Sequence, residues 1–160
     1  MRLGRKTGLY SMSKLAPRSA AQISATVPTV DCEPVQRGNY RNKALLAAVR
    51  LLPCVKCGMI GVHAAHSNRL IHGKGKGIKA SDAAIMALCP ADHYEIDNGK
   101  NYTKRDLETY QDAYIVKTYA ALERYGTINI PAHVWKLHGN AEIALELIRL
   151  QEDGELWVHF

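Results

Sequence analysis

The chain has 160 residues, 47% hydrophobic and 22% charged, enough for one compact domain with appendages and too few for two full-sized domains. No apolar run approaches the roughly 20 residues of a membrane-spanning helix, so no membrane association is expected. Lysines and arginines total 21 against 15 acidic residues, and the formal charge of +6 favours a polyanionic partner.

That charge is unevenly spread. Arg2, Arg5, Lys6, Lys14, Arg18, Arg37, Arg41, Lys43 and Arg50 crowd the first third, opposed only by Asp31 and Glu33, whereas Glu142, Glu146, Glu152, Asp153 and Glu155 make the end acidic. Residues 1–40 are rich in Ser, Ala, Pro and basic side chains without a sustained apolar period. They read as a flexible basic arm, with some likeness to an organellar transit peptide. Cys32 within it reads as a spare thiol.

From Asn42, a possible N-cap, helix formers run to Leu52 and Pro53 stops them. A strand is expected over residues 60–66, a glycine- and lysine-rich loop over 67–81, and a second strand over 83–88, after which Pro90 can open a helix at its first position. Beyond the Asn98-Gly99 turn signal, Thr103 and Asp106 offer a capping box for a helix ending at Gly126. Its Leu107, Tyr110, Tyr114, Val116, Tyr119 and Leu122 are expected on the buried face. A further helix over residues 141–150 should turn Ile143, Leu147 and Leu150 inward, and Asp153-Gly154 between apolar residues suggests a final hairpin. The domain reading is therefore an arm (1–40), a core with its covering helix (41–126) and a C-terminal helix and hairpin (127–160).

The chemistry lies in two half-motifs. Pro53-Cys54-Val55-Lys56-Cys57-Gly58 is a knuckle in which two thiolates, with two residues between them, can bind one ion from a tight turn. Cys89-Pro90-Ala91-Asp92-His93 repeats the spacing with an aspartate in place of the second cysteine. Zinc accepts oxygen and nitrogen ligands, so either Asp92 or His93 can complete a shell begun by Cys54, Cys57 and Cys89; the spacing assigns Asp92. His93 and Asp97 lie one helical turn apart, a spacing that lets both hold one divalent ion. Lys74, Lys76 and Lys79, with Arg69, sit in a glycine-spaced loop where ammonium groups can approach phosphates. His63, His72, His133, His138 and His159 read as ordinary histidines rather than ligands.

The knuckle, the Ala65-His66 strand end, the Gly-rich stretch closing on Lys79-Ala80-Ser81-Asp82, and Cys89 through Asp97 together resemble an HNH, or ββα-metal, endonuclease, over residues 53–98. The chain is similar to the small phage and prophage nucleases of the YbcO-like and Ref-like kind. The resemblance implies an α+β fold with a small zinc-knuckle, treble-clef-like ββα-metal core and flanking helices. It implies DNA as substrate, His66 as general base, His93 and Asp97 as ligands of a catalytic Mg2+ or Mn2+, and a structural Zn2+. Asp82 matches an acidic residue before the second strand that orients His66 or reaches the metal through water. The slot before the base, a metal-binding Asp or His in many such sites, is Ala65 here.

Three functions follow: an endonuclease in DNA recombination or processing; a non-catalytic zinc-stabilised nucleic-acid-binding protein; or an assembly factor using Trp135, Trp157 and Phe160 to dock a phage or recombination partner. A homodimer would suit double-strand cutting. The expected location is the cytoplasm, that of a bacterial host if the chain is phage-encoded.

Overall fold

The structure, a computed structural model, describes residues 39–159. The arm, apart from its last two residues, lies outside the described residues, as do Cys32 and Phe160. The protein is mixed α+β, with helix α1 (Lys43–Val49), strands β1 (His63–His66) and β2 (Ile85–Leu88), and helices α2 (Pro90–Asn98), α3 (Lys104–Arg124) and α4 (Gly139–Glu152). Single 3-10 turns form at Leu70–His72 and Val134–Lys136. No helix of the described residues is long and apolar enough to cross a membrane.

Helix α1 starts where Asn42 accepts a hydrogen bond from the Leu45 N–H at 3.0 Å, satisfying an N–H that the first turn leaves free. It ends earlier than expected. Leu51 and Leu52 donate to Ala48 and Val49 in a tightened turn, and Leu52 is buried while Leu51 points outward.

Strands β1 and β2 pair antiparallel, with His63 opposite Leu88 and His66 opposite Ile85. The first strand is shorter than residues 60–66 because Ile60 lies in an exposed bend after the knuckle. All four residues of β2 are buried, so both of its faces are covered. At its middle, the Ala87 N–H donates to Thr118 Oγ1 of α3 at 3.0 Å, and the Ala87 carbonyl accepts from Val55 N at 3.0 Å. A helix side chain and the knuckle thus occupy backbone groups that a third strand would otherwise claim.

Pro90 stands at the start of α2, where its missing N–H costs nothing, and Gly99 closes the helix in the left-handed region at φ 59°. The Thr103–Asp106 capping box forms in both directions. The buried face of α3 differs from the expected one: Gln111, Asp112, Tyr114, Ile115, Thr118, Tyr119 and Leu122 turn inward, while Tyr110 is exposed and Val116 only half-buried. Three of these inward residues are polar because they fasten other segments, and a search for apolar period alone misses such a face.

Helix α4 packs on α3, and its Ala144, Leu147, Ile148 and Leu150 join α1, β2, α3 and Leu156 in one apolar core. Full burial of each large aliphatic side chain contributes roughly 1.5–3 kcal/mol. The expected hairpin does not form. Asp153 is the C-cap of α4 and Gly154 follows in the left-handed region at φ 75°, so that Glu155 N bonds back to the Leu150 carbonyl at 2.8 Å. Asp-Gly serves here as a helix terminator, because the residues before it are helical.

A polar cluster fixes the segment after β1 onto α3. Ser67 Oγ donates to Gln111 Oε1 at 3.0 Å, Asn68 N donates to the same oxygen at 2.6 Å, and Arg69 pairs with Asp112. His72 Nδ1 lies 2.8 Å from Ser67 Oγ, while its buried Nε2 has no hydrogen-bond partner among the described residues. Burial, helped by the Arg69 charge and opposed by Asp112, pushes the His72 imidazole down to about 4 from an ordinary 6.5. The folded protein holds this ring neutral, whereas the unfolded chain takes up its proton below about pH 6.5. This contribution to stability is complete above that pH and declines as pH falls toward 4, by roughly 2–3 kcal/mol at most. Urea unfolding at pH 7 and 4.5 is expected to show this loss, and a His72→Gln variant a shallower dependence.

Candidate functional site

The ββα sequence of elements brings two chemically distinct groups to opposite sides of the start of α2. The first is the thiol cluster. Gly58 N bonds to the Cys54 carbonyl at 2.8 Å and Cys54 N to the Met59 carbonyl at 2.8 Å, closing the knuckle so that Cys54 and Cys57 face one point. Gly58 adopts φ 79°, the left-handed region that this reversal requires. Cys89 at the N-cap of α2 and Asp92 in its first turn arrive from β2.

Ligand atoms of Cys54, Cys57, Cys89 and Asp92 all lie within 4.8 Å of one another. Cys57 Sγ is 3.7 Å from Cys89 Sγ, and Asp92 Oδ2 is 3.2 Å from the Sγ atoms of both Cys54 and Cys89. A tetrahedral zinc with Zn–S near 2.3 Å sets its sulfurs about 3.8 Å apart, so spacing and donor chemistry both fit zinc. Three thiolates and a carboxylate exceed the charge of one divalent ion. Lys56 offsets the excess: its Nζ sits 3.1 Å from Asp92 Oδ1 and also pairs with Glu95. Burial disfavours the Asp92 anion, but hydrogen bonds from Cys57, Cys89, Cys54 and Lys56 outweigh it and hold the carboxyl well below the ordinary range. Of the two alternatives for the fourth position, Asp92 lies with the thiols, and His93 faces the other way.

The second group lines a cleft of about 350 Å³ that includes His66, Asn68, Lys74, Lys79, His93, Asp97 and Arg50. His66 ends β1, and its Nε2 lies 2.8 Å from Oδ1 of the buried Asp82. Asp82 is itself fixed by Arg41 Nη1 at 3.0 Å and by the Asn42 N–H at 2.8 Å. Burial works against its ionisation, and the bonds from His66 and Asn42 with the nearby Arg41 charge prevail, lowering its carboxyl below the ordinary value. With a carboxylate on Nε2, neutral His66 carries its proton there, and Nδ1 keeps a lone pair.

His93 Nε2 lies 3.3 Å from Asp97 Oδ2 one turn along α2, and Asn68 Nδ2 donates to Asp97 Oδ1 at 2.8 Å. His63 Nδ1 is 3.3 Å from His93 Nδ1. The lysine loop is anchored at its base, where Asn39 donates to the Lys79 carbonyl at 2.6 Å and Arg41 to the Ala80 carbonyl at 2.6 Å. Lys74 and Lys79 border the cleft, and Lys76 sits on the loop between them. Arg69 is turned away, its guanidinium engaged by Asp112 on α3.

Sequence reasoning passed over His63, Asn68 and Arg41. His63 stands out only once β1 is paired, where it shares a face of the strand with Ala65 and its partner Leu88 immediately precedes Cys89. Arg41 and Asn68 gave no local signal, since their partners are 41 and 29 residues away.

The purified protein is expected to carry one tightly held metal ion at the thiol cluster. Cys89→Ser should release it and unfold the chain, whereas Asp92→Asn should weaken it more than tenfold, above about 1.4 kcal/mol. Metal transfer to a chromogenic chelator, followed alongside thermal melting, checks both; unchanged affinity in Asp92→Asn would remove Asp92 from the ligand set. Comparison with protein-family models, with curated proteins and with solved structures found no match.

Proposed function

We propose that the protein is a metal-dependent endonuclease hydrolysing phosphodiester bonds in DNA, with a zinc-knuckle, treble-clef-like ββα-metal core. The observation that carries this reading is the cleft in which His66, pinned by buried Asp82, meets His93, Asp97 and the unpaired ammonium groups of Lys74 and Lys79. Among the described residues neither lysine forms an ion pair, which leaves both available to phosphate oxygens.

In this mechanism the lysines, with Arg50 at the rim, hold the phosphodiester. His66 Nδ1 takes a proton from water as the water oxygen bonds to phosphorus, and the bond from phosphorus to the leaving oxygen breaks. Asp82 keeps the ring in the tautomer that accepts this proton and stabilises the imidazolium that results. His93, with the Asp97 carboxylate beside it, would hold a divalent ion, which would supply positive charge to the reacting phosphate. Cys54, Cys57, Cys89 and Asp92 would hold a zinc whose role would be structural, keeping α2 against the strand pair.

A second reading, a non-catalytic nucleic-acid-binding protein, is favoured by one observation. Ala65, in the slot where the resembled family often has a metal ligand, is fully buried and offers no donor.

Supercoiled plasmid incubated with the protein and Mn2+ or Mg2+ should be nicked, and EDTA should stop the reaction. His66→Ala should lower the rate by at least about a hundredfold while melting temperature and gel retardation of DNA persist. Retained nicking by that variant would remove His66 as the base, and retardation without cleavage in any divalent metal would establish the second reading.

A further inference from the structure

The pairing of β1 with β2 brings His63 to the start of α2. His63 opens β1 opposite Leu88, and α2 begins two residues after Leu88. The first turn of α2 therefore rises over the start of β1, and His93 meets His63 with Nδ1 atoms 3.3 Å apart and ring planes at 82°.

We infer that His63 and His93 bind a divalent metal ion through their Nδ1 atoms, and that Asp97 orients His93 rather than ligating the ion. The inference rests on the nuclease reading of the cleft and refines which atoms hold its ion. On the far side of the His93 ring, Nε2 faces the Asp97 carboxylate at 3.3 Å, and Asn68 holds that carboxylate in place. A carboxylate at Nε2 fixes the ring proton there and turns the Nδ1 lone pair toward His63, the arrangement in which a ligating histidine donates its other N–H to a carboxylate. Nitrogens about 2.0–2.1 Å from a tetrahedral ion stand roughly 3.3–3.4 Å apart, matching the observed separation. His63 replaces the donor that Ala65 lacks: the two residues share a strand face, and His63 is the exposed one.

Two imidazoles define the class of ion. Magnesium prefers oxygen ligands and gives up its water reluctantly, whereas manganese, cobalt, nickel and zinc accept imidazole nitrogen. The ordinary alternative is one proton shared between the rings as an N–H to N hydrogen bond, with no ion involved.

Calorimetric titration of Co2+ and Mn2+ into the zinc-loaded full chain, without nucleic acid, separates the two. Wild type is expected to bind one further ion. His63→Ala should weaken it at least tenfold, His93→Ala should abolish it, and Asp97→Asn should weaken it roughly 10–100-fold without abolishing it. The exposed His133→Ala serves as a control with unchanged binding, and thermal melting verifies that His63→Ala and a second variant, His63→Gln, remain folded. Wild-type affinity in folded His63→Ala, or no second ion in wild type, would overturn the inference. If the ion binds as expected but plasmid is never nicked, the metal site stands and the nuclease reading falls; nicking with His63→Ala binding unimpaired does the reverse.

Discussion

Asp92 Oδ2 stands 3.2 Å from the sulfurs of both Cys54 and Cys89, and through that contact the knuckle before β1 is joined to the first turn of α2 after β2. A two-stranded sheet of four residues per strand has little stability of its own. Tying both ends of the strand pair to one cluster reduces the ways in which β1, β2 and α2 can slide past one another. The register that sets His63 opposite Leu88, and hence His63 beside His93, depends on this constraint. A metal at the cluster would secure it further, since ligands that must converge on one ion resist separation.

The cleft sits on the opposite side of the same helix start and takes its rigidity from elsewhere. Asp82 gathers His66, Arg41 and the backbone of Asn42, so the loop end before β2, the approach to α1 and the end of β1 meet at one buried carboxylate. Ser67 and Arg69 fasten the next segment to Gln111 and Asp112 on α3, and His72 bonds back to Ser67. A buried, multiply bonded carboxylate keeps the His66 ring from turning, the restraint that the proposed role of general base requires. Polar residues inside α3 thus serve the site although none of them lines it.

The local signals in the sequence were the reliable ones. Asn42 as a cap, Pro90 opening α2, the Thr103–Asp106 capping box and the Cys-x-x-Cys knuckle with its half-repeat act within a few residues, and each could be placed from spacing. What escaped was set by distant partners. The inward face of α3 also carries Gln111, Asp112 and Thr118, whose partners lie 31 to 44 residues away, so apolar periodicity found Tyr114, Tyr119 and Leu122 but missed the polar residues beside them. Asp153-Gly154 is ambiguous in sequence because the same dipeptide ends helices and turns hairpins, and only the packing of α4 decides between them. His63 became meaningful once the strand register was known.

Asp92, not His93, stands with the three thiols, and His93 is left to the cleft. X-ray absorption at the zinc edge of the purified chain, loaded with one equivalent of zinc, tests this most directly. Three sulfurs at about 2.3 Å and one oxygen at about 2.0 Å are expected, without the outer-shell scattering of an imidazole ring. An imidazole signature in that spectrum, lost in His93→Ala, would contradict this assignment and leave the cleft without its metal ligand.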